Sequence, residues 1–195
     1  MCGLDLITCQ YHDIQAEFNV RDKYVQLHRR FAPFSADVIT EDVIVRSYSE
    51  SLFFSRSTLS WEALLHRRLS VVLGEQGSGK TEEFRRRAEL LCEQGEAAFF
   101  IPLENLVKND LRSALSESDE RRFRTWFKSG DDGVFFLDSV DESKLVKSSD
   151  FEVALRQFAK DITSTGLRRA KIVLSSRVSK WSPVIDQERR RWKHL

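Results

Sequence analysis

Apolar positions along this chain follow two rhythms. Short, nearly unbroken apolar runs predict strands over about 69–73, 97–102, 133–138 and 170–175. Such runs, rich in β-branched and aromatic residues, suit strands buried on both faces. Between them the spacing is helical. Phe84, Ala88 and Leu91 share one face of a helix predicted from Gly79 to about Glu93, with Gly95 just past its end. A helix from Ser118 to Ser129 begins with acids (Asp119, Glu120) and turns Phe123, Trp126 and Phe127 inward. The capping box Ser149-Asp150-Phe151-Glu152 opens a helix that buries Phe151, Ala154, Leu155, Phe158 and Ile162 before a turn at Gly166. Ser60 is suited to cap a short helix, Trp61–Arg68, and residues 104–117 read as a connection with a broken helix. Upstream the rhythm weakens: a short helix is predicted around Gln15–Phe31, one or two short strands within 36–54, and a serine-rich loop from Ser47 to Ser60. The whole predicts an α/β fold: an arm over 1–60, then a core over 61–195 with a doubly wound, mainly parallel sheet and helices on both faces.

Composition narrows this reading. At 195 residues, 41% of them hydrophobic, the chain suffices for one domain, or a domain plus an arm, with a real core. A net charge of +1 provides no global field toward nucleic acid or a membrane. Arg85, Arg86 and Arg87 fit a solvated helix face better than a nucleic-acid patch. Cys2, Cys9 and Cys92 have neither paired nor metal-site spacing, which fits a reduced, cytoplasmic setting. No apolar run reaches membrane-spanning length, and the N-terminus lacks a basic stretch, so neither a membrane span nor a signal peptide is predicted.

The strongest chemical signal follows the first core strand. Gly74-Glu75-Gln76-Gly77-Ser78-Gly79-Lys80-Thr81 matches G-x-x-x-x-G-K-[ST] in full, between a strand and a helix. A triphosphate needs several donors converging on it. A glycine-rich turn can wrap closely enough to offer backbone N–H groups, and the helix N-terminus adds more. Lys80 can reach the β- and γ-phosphates, and the Thr81 hydroxyl can ligate Mg²⁺. The bland alternative is a glycine turn followed by Lys-Thr. At average residue frequencies that arises in roughly one chain in a hundred of this length, and the strand–helix context makes it rarer.

The third strand ends Asp138-Ser139-Val140-Asp141-Glu142. Parallel strands end on one sheet edge, so Asp138 is a candidate to hold Mg²⁺ through water opposite Lys80. Asp141 and Glu142 are candidates to orient or deprotonate an attacking water. The alternatives are an ordinary strand-end acid for Asp138 and turn caps for the pair. The fourth strand ends Ser175-Ser176-Arg177, and Arg177 is a candidate γ-phosphate sensor rather than a plain surface arginine.

Together, LGEQGSGKT, FFLDSVDES and IVLSSR resemble the Walker A, Walker B and sensor-1 motifs of the NACHT group of STAND signal-transduction ATPases, over roughly Trp61 to Trp181. Two positions depart: Ser139 stands where glycine is usual, and Val178 where proline often follows the arginine. Residues 1–60 match no family pattern. The resemblance implies a P-loop NTPase that binds ATP and Mg²⁺ and switches, with slow turnover, between closed and oligomer-competent forms. In bacteria similar chains are sensors, often in phage defence. The resemblance also implies helical, winged-helix and sensor domains after the sensor strand, for which the remaining residues leave no room. A piece of a longer protein is therefore expected, with its other domains, and copies of itself on activation, as partners. In the additional-strand P-loop class the Walker A strand neighbours the sensor strand, and the Walker B strand lies beyond it.

Other readings stay open. A small-molecule kinase should carry an arginine-bearing lid, and Arg189–Arg191 lack lid-like surroundings. A GTPase should show N/T-K-x-D after the third strand, and none follows. A catalytically dead scaffold would not need Lys80, Thr81 and Asp138 intact.

Overall fold

The computed structural model describes residues 5–10, 17–18, 25–26, 30–34, 59–139 and 148–177. Its centre is a six-stranded sheet. In chain order the strands are β1 (Asp5–Gln10), β4 (Arg30–Phe34), β5 (Leu69–Leu73), β6 (Ala98–Pro102), β7 (Gly133–Asp138) and β8 (Ala170–Ser176); β2 (Glu17–Phe18) and β3 (Val25–Gln26) pair separately. The spatial order is β4-β1-β5-β8-β7-β6. All neighbours are parallel except β4, which runs antiparallel to β1. The four core strands predicted from their apolar runs are present, and β8 lies between β5 and β7.

The helices are α1 (Trp61–Leu65), α2 (Lys80–Glu93), α3 (Leu103–Lys108), α4 (Leu111–Ala114), α5 (Glu117–Ser129) and α6 (Ser148–Leu167). Strand pleating sorts the core into two layers, because successive side chains point to opposite faces. Val71, Leu73, Phe99, Ile101, Phe135, Leu137, Ile172 and Leu174 pack against α3 to α6. Val72, Ala98, Val134, Phe136 and Val173 pack against α1 and α2 through Trp61, Leu64, Phe84, Ala88 and Leu91. β7 is buried along its whole length, as a strand covered on both faces must be.

Local signals fix most helix ends. The Ser60 hydroxyl caps α1 by accepting from the Ala63 N–H at 3.4 Å, and Ser116 caps α5 through the Asp119 N–H at 3.2 Å. α1 ends at Leu65 rather than continuing to Arg68, and α5 starts one residue before the predicted Ser118. The predicted capping box at Ser149 is corrected: α6 already begins at Ser148, so Ser149 lies inside the helix.

The predicted helix around Gln15–Phe31 is also corrected. Glu17–Phe18, Val25–Gln26 and the start of β4 are extended. β2 and β3 pair with each other and β4 pairs with β1, and these inter-strand hydrogen bonds override a weak local period. β1 and β4 extend the main sheet, β1 beside β5 and β4 at the edge. The expected strands within 36–54, and the loop from Ser47 as far as residue 58, lie outside the described residues.

The arginines at 85–87 do more than face solvent. Arg85 lies over the Phe100 ring at 5.1 Å and Arg87 over Trp61 at 5.0 Å. Their aliphatic stems and flat guanidinium groups cover aromatic surface, while Glu82 and Glu83 pair with them from the same helix.

α6 holds one backbone anomaly. Thr163 has φ 64° and ψ 164°, interrupting the helix in a region that β-branched residues avoid. Thr163→Gly is expected to stabilise the fold by about 1 kcal/mol, because the relieved strain exceeds glycine's added chain entropy. Chemical denaturation checks this, and a loss of stability would refute it.

Candidate functional site

The site forms where β5, β7 and β8 end on one edge of the sheet. The chain leaves β5 at Gly74, whose N–H donates to the Ser176 carbonyl at 3.1 Å, tying the loop to the end of β8. Gly77 and Gly79 have φ of 79° and 73°. This left-handed conformation is cheap only for glycine, and it turns the chain directly into α2. Gly79 is the N-cap of α2 and has no side chain to occupy the first N–H groups. Such N–H groups point out of the positive end of a helix.

Lys80, the first helical residue, folds back over the loop. Its ammonium donates to the Gly74 carbonyl, to the Glu75 carbonyl at 2.8 Å and to Ser78 Oγ at 3.1 Å. A cleft of about 270 Å³ opens here, lined by residues 76–82 together with Asp138, Ser139 and Arg177. The structure thus brings Gln76, Gly77, Ser78, Gly79, Lys80, Thr81, Asp138 and Arg177 to one cavity. Gly74 and Glu75 do not line it; they hold Lys80 from behind. Asp141 and Glu142 lie outside the described residues.

Asp138 is the unusual group. It is 1% exposed. Its Oδ1 accepts from the Ser175 hydroxyl, while its buried Oδ2 accepts no hydrogen bond. Burial raises its pKa above the ordinary aspartate value, against the Ser175 and Thr81 hydroxyls and the Lys80 charge; Glu104 adds to the rise. A buried carboxylate oxygen without a partner is costly unless something binds it.

Among the described residues no three His, Cys, Asp or Glu side chains gather as a metal cage. The donor set nevertheless suits Mg²⁺, which is commonly held by one or two protein oxygens plus substrate phosphates and water. The Thr81 hydroxyl and Asp138 Oδ2 are such oxygens.

Two features escaped the sequence reading. Ser175, placed only as part of a strand terminus, bonds Asp138 directly. Glu83, 4% exposed, accepts a hydrogen bond from Trp61 Nε1 at 2.8 Å, clamping α1 to the first turn of α2. The Ser-Ser-Arg ending of β8 was the available signal for the first. Nothing local signalled the second.

Comparison of the chain with family models, with curated proteins and with solved structures returned no match. The class that the fold itself defines is α/β, with a mainly parallel sheet and a cleft at the strand ends. Among the described residues no helix is long and apolar enough to cross a membrane.

Proposed function

We propose that this chain is a P-loop module that binds ATP with Mg²⁺ and acts as a slowly hydrolysing nucleotide switch of the NACHT/STAND kind, within a signalling or antiviral-defence protein. One observation carries the reading. Lys80, Thr81 and the buried, half-satisfied Asp138 converge on a cleft whose floor is a glycine-rich loop opening a helix. Phosphate oxygens would meet the loop and helix N–H groups and the Lys80 ammonium. Thr81 and Asp138 would hold Mg²⁺, which when bound neutralises charge on the phosphates. Arg177, also at the cleft, supplies a cation suited to the terminal phosphate. The strand order β5-β8-β7 further supports the reading, because it matches the arrangement that the resemblance implies. ATP is preferred over GTP because no N/T-K-x-D follows β7.

The test is ATP and GTP binding with Mg²⁺, on the chain and on Lys80→Ala. ATP-selective binding is expected. Removing the charge-assisted phosphate contact should weaken it about 10- to 100-fold. A folded chain that binds neither nucleotide would overturn the reading and favour a scaffold that retains the fold for protein contacts. A phosphorylated small-molecule product would favour a kinase.

A further inference from the structure

Asp138 is held from the neighbouring strand. Ser175 is fully buried at the end of β8, and its hydroxyl meets Asp138 Oδ1. The Ser139 backbone N–H also reaches Ser175 Oγ, at 3.0 Å. An amide N–H can only donate, so Ser175 Oγ accepts there, and its one hydrogen is left for Asp138. Ser139 Oγ completes the arrangement by donating to the Ser175 carbonyl at 2.8 Å. These bonds join the ends of β7 and β8 beyond their last ladder pair, Leu137 with Leu174.

The outcome is asymmetric. One carboxylate oxygen is occupied and fixed; the other is equally buried and accepts nothing. Taking as its basis the reading of Thr81 and Asp138 as the metal-holding pair, we propose that Ser175 positions Asp138: by occupying Oδ1 it leaves Oδ2 as the oxygen offered to the cation. Ser175 is fully buried and does not line the cleft. It is a positioning residue, acting through Asp138. The hydroxyl is needed because it must both accept from Ser139 and donate to Asp138. Alanine does neither, and it frees the carboxylate to rotate. Ser139 has its own part: its hydroxyl secures the Ser175 backbone, a bond glycine could not make.

The experiment compares the whole chain with Ser175→Ala, Ser175→Thr and Asp138→Ala. ATP binding is titrated in Mg²⁺ and again in EDTA, with thermal melting alongside. Outer partners of metal ligands typically carry 10- to 100-fold in metal affinity. Ser175→Ala should therefore lose about 10-fold or more in Mg²⁺ and less than about 2-fold in EDTA. Ser175→Thr, which keeps the hydroxyl, should stay within about 3-fold of wild type in Mg²⁺. If Ser175→Ala does not fold, Ser175→Cys, close in size with only a weak donor, should show the same split. Equal losses in Mg²⁺ and EDTA would mean a purely structural serine and overturn the proposal. So would a Ser175→Ala protein that keeps the wild-type Mg²⁺ dependence while Asp138→Ala loses it; that result leaves the nucleotide reading intact. A wild-type chain that binds no nucleotide overturns the nucleotide reading and this assignment together.

Discussion

Gly133→Ala is expected to destabilise the protein by about 3 kcal/mol, near the upper end for overpacking a close-packed site. A Cβ on Gly133 would lie 2.5 Å from Trp126 Nε1 and 2.8 Å from its Cε2. The indole has nowhere to retreat. It is 2% exposed, meets the Phe135 ring edge-on at 5.0 Å, and has the Arg169 guanidinium over it at 4.8 Å. Arg169 is itself anchored to the Asp131 carbonyl at 2.6 Å. Nor can β7 move away, since the Gly133 N–H is bonded to the Arg169 carbonyl at 3.0 Å and the Val134 N–H to that of Ala97 at 2.8 Å. For a chain of this size the loss should lower Tm by about 6–12 °C. Trp126→Leu removes the indole Nε1 and Cε2 that the new methyl meets, so it should recover part of the loss in the double variant, as contacting sites do. Thermal melts of the four proteins read this out. Strict additivity would refute the contact as the cause.

Asp138→Asn should separate stability from function. Asparagine keeps the Ser175 contact but carries no charge, so the cost of burying a carboxylate disappears. The nucleotide-free variant should melt a few degrees above wild type. The same change should remove the Mg²⁺ dependence of ATP binding, because a neutral amide is a poor partner for that cation. A protein that gives up stability at a site used for binding behaves this way.

The pH dependence has a definite sign. The folded-state pKa of Asp138 is raised, so its charged form costs stability at neutral pH, and that cost fades as pH falls through the raised value toward the ordinary 3.8. The gap in Tm between Asp138→Asn and wild type should therefore narrow on acidification from pH 7. A gap that widens would contradict the burial argument. Over the same range Mg²⁺-dependent binding should weaken, since protons compete for the carboxylate.

The local chemistry of the site was legible along the chain. A glycine-rich octapeptide between a strand and a helix needs only neighbouring residues to become a tight turn that opens the helix. The apolar runs that became β5 to β8 announce burial on both faces by composition alone. Capping by Ser60 and the positive φ at Gly77 and Gly79 are likewise properties of a few adjacent atoms.

What depended on distant partners was not legible. β4 exists through its pairing with β1, some twenty residues or more upstream, and β2 and β3 through pairing with each other, so a weak helical period lost. The Trp61–Glu83 bond joins helices on either side of β5 and the loop. The contact between Ser175 and Asp138 is the clearest case. In sequence, Ser175 is one of two serines before an arginine. Only the parallel pairing of β8 with β7 brings its hydroxyl to the carboxylate. The sequence by itself determined which polar groups the glycine-rich loop carries and where β5 to β8 and the helices between them form, because those follow from local backbone geometry and side-chain polarity. The tertiary structure decided which oxygen of Asp138 is held and which is left to bind, because a buried carboxylate's orientation is set by whichever donor the neighbouring strand delivers.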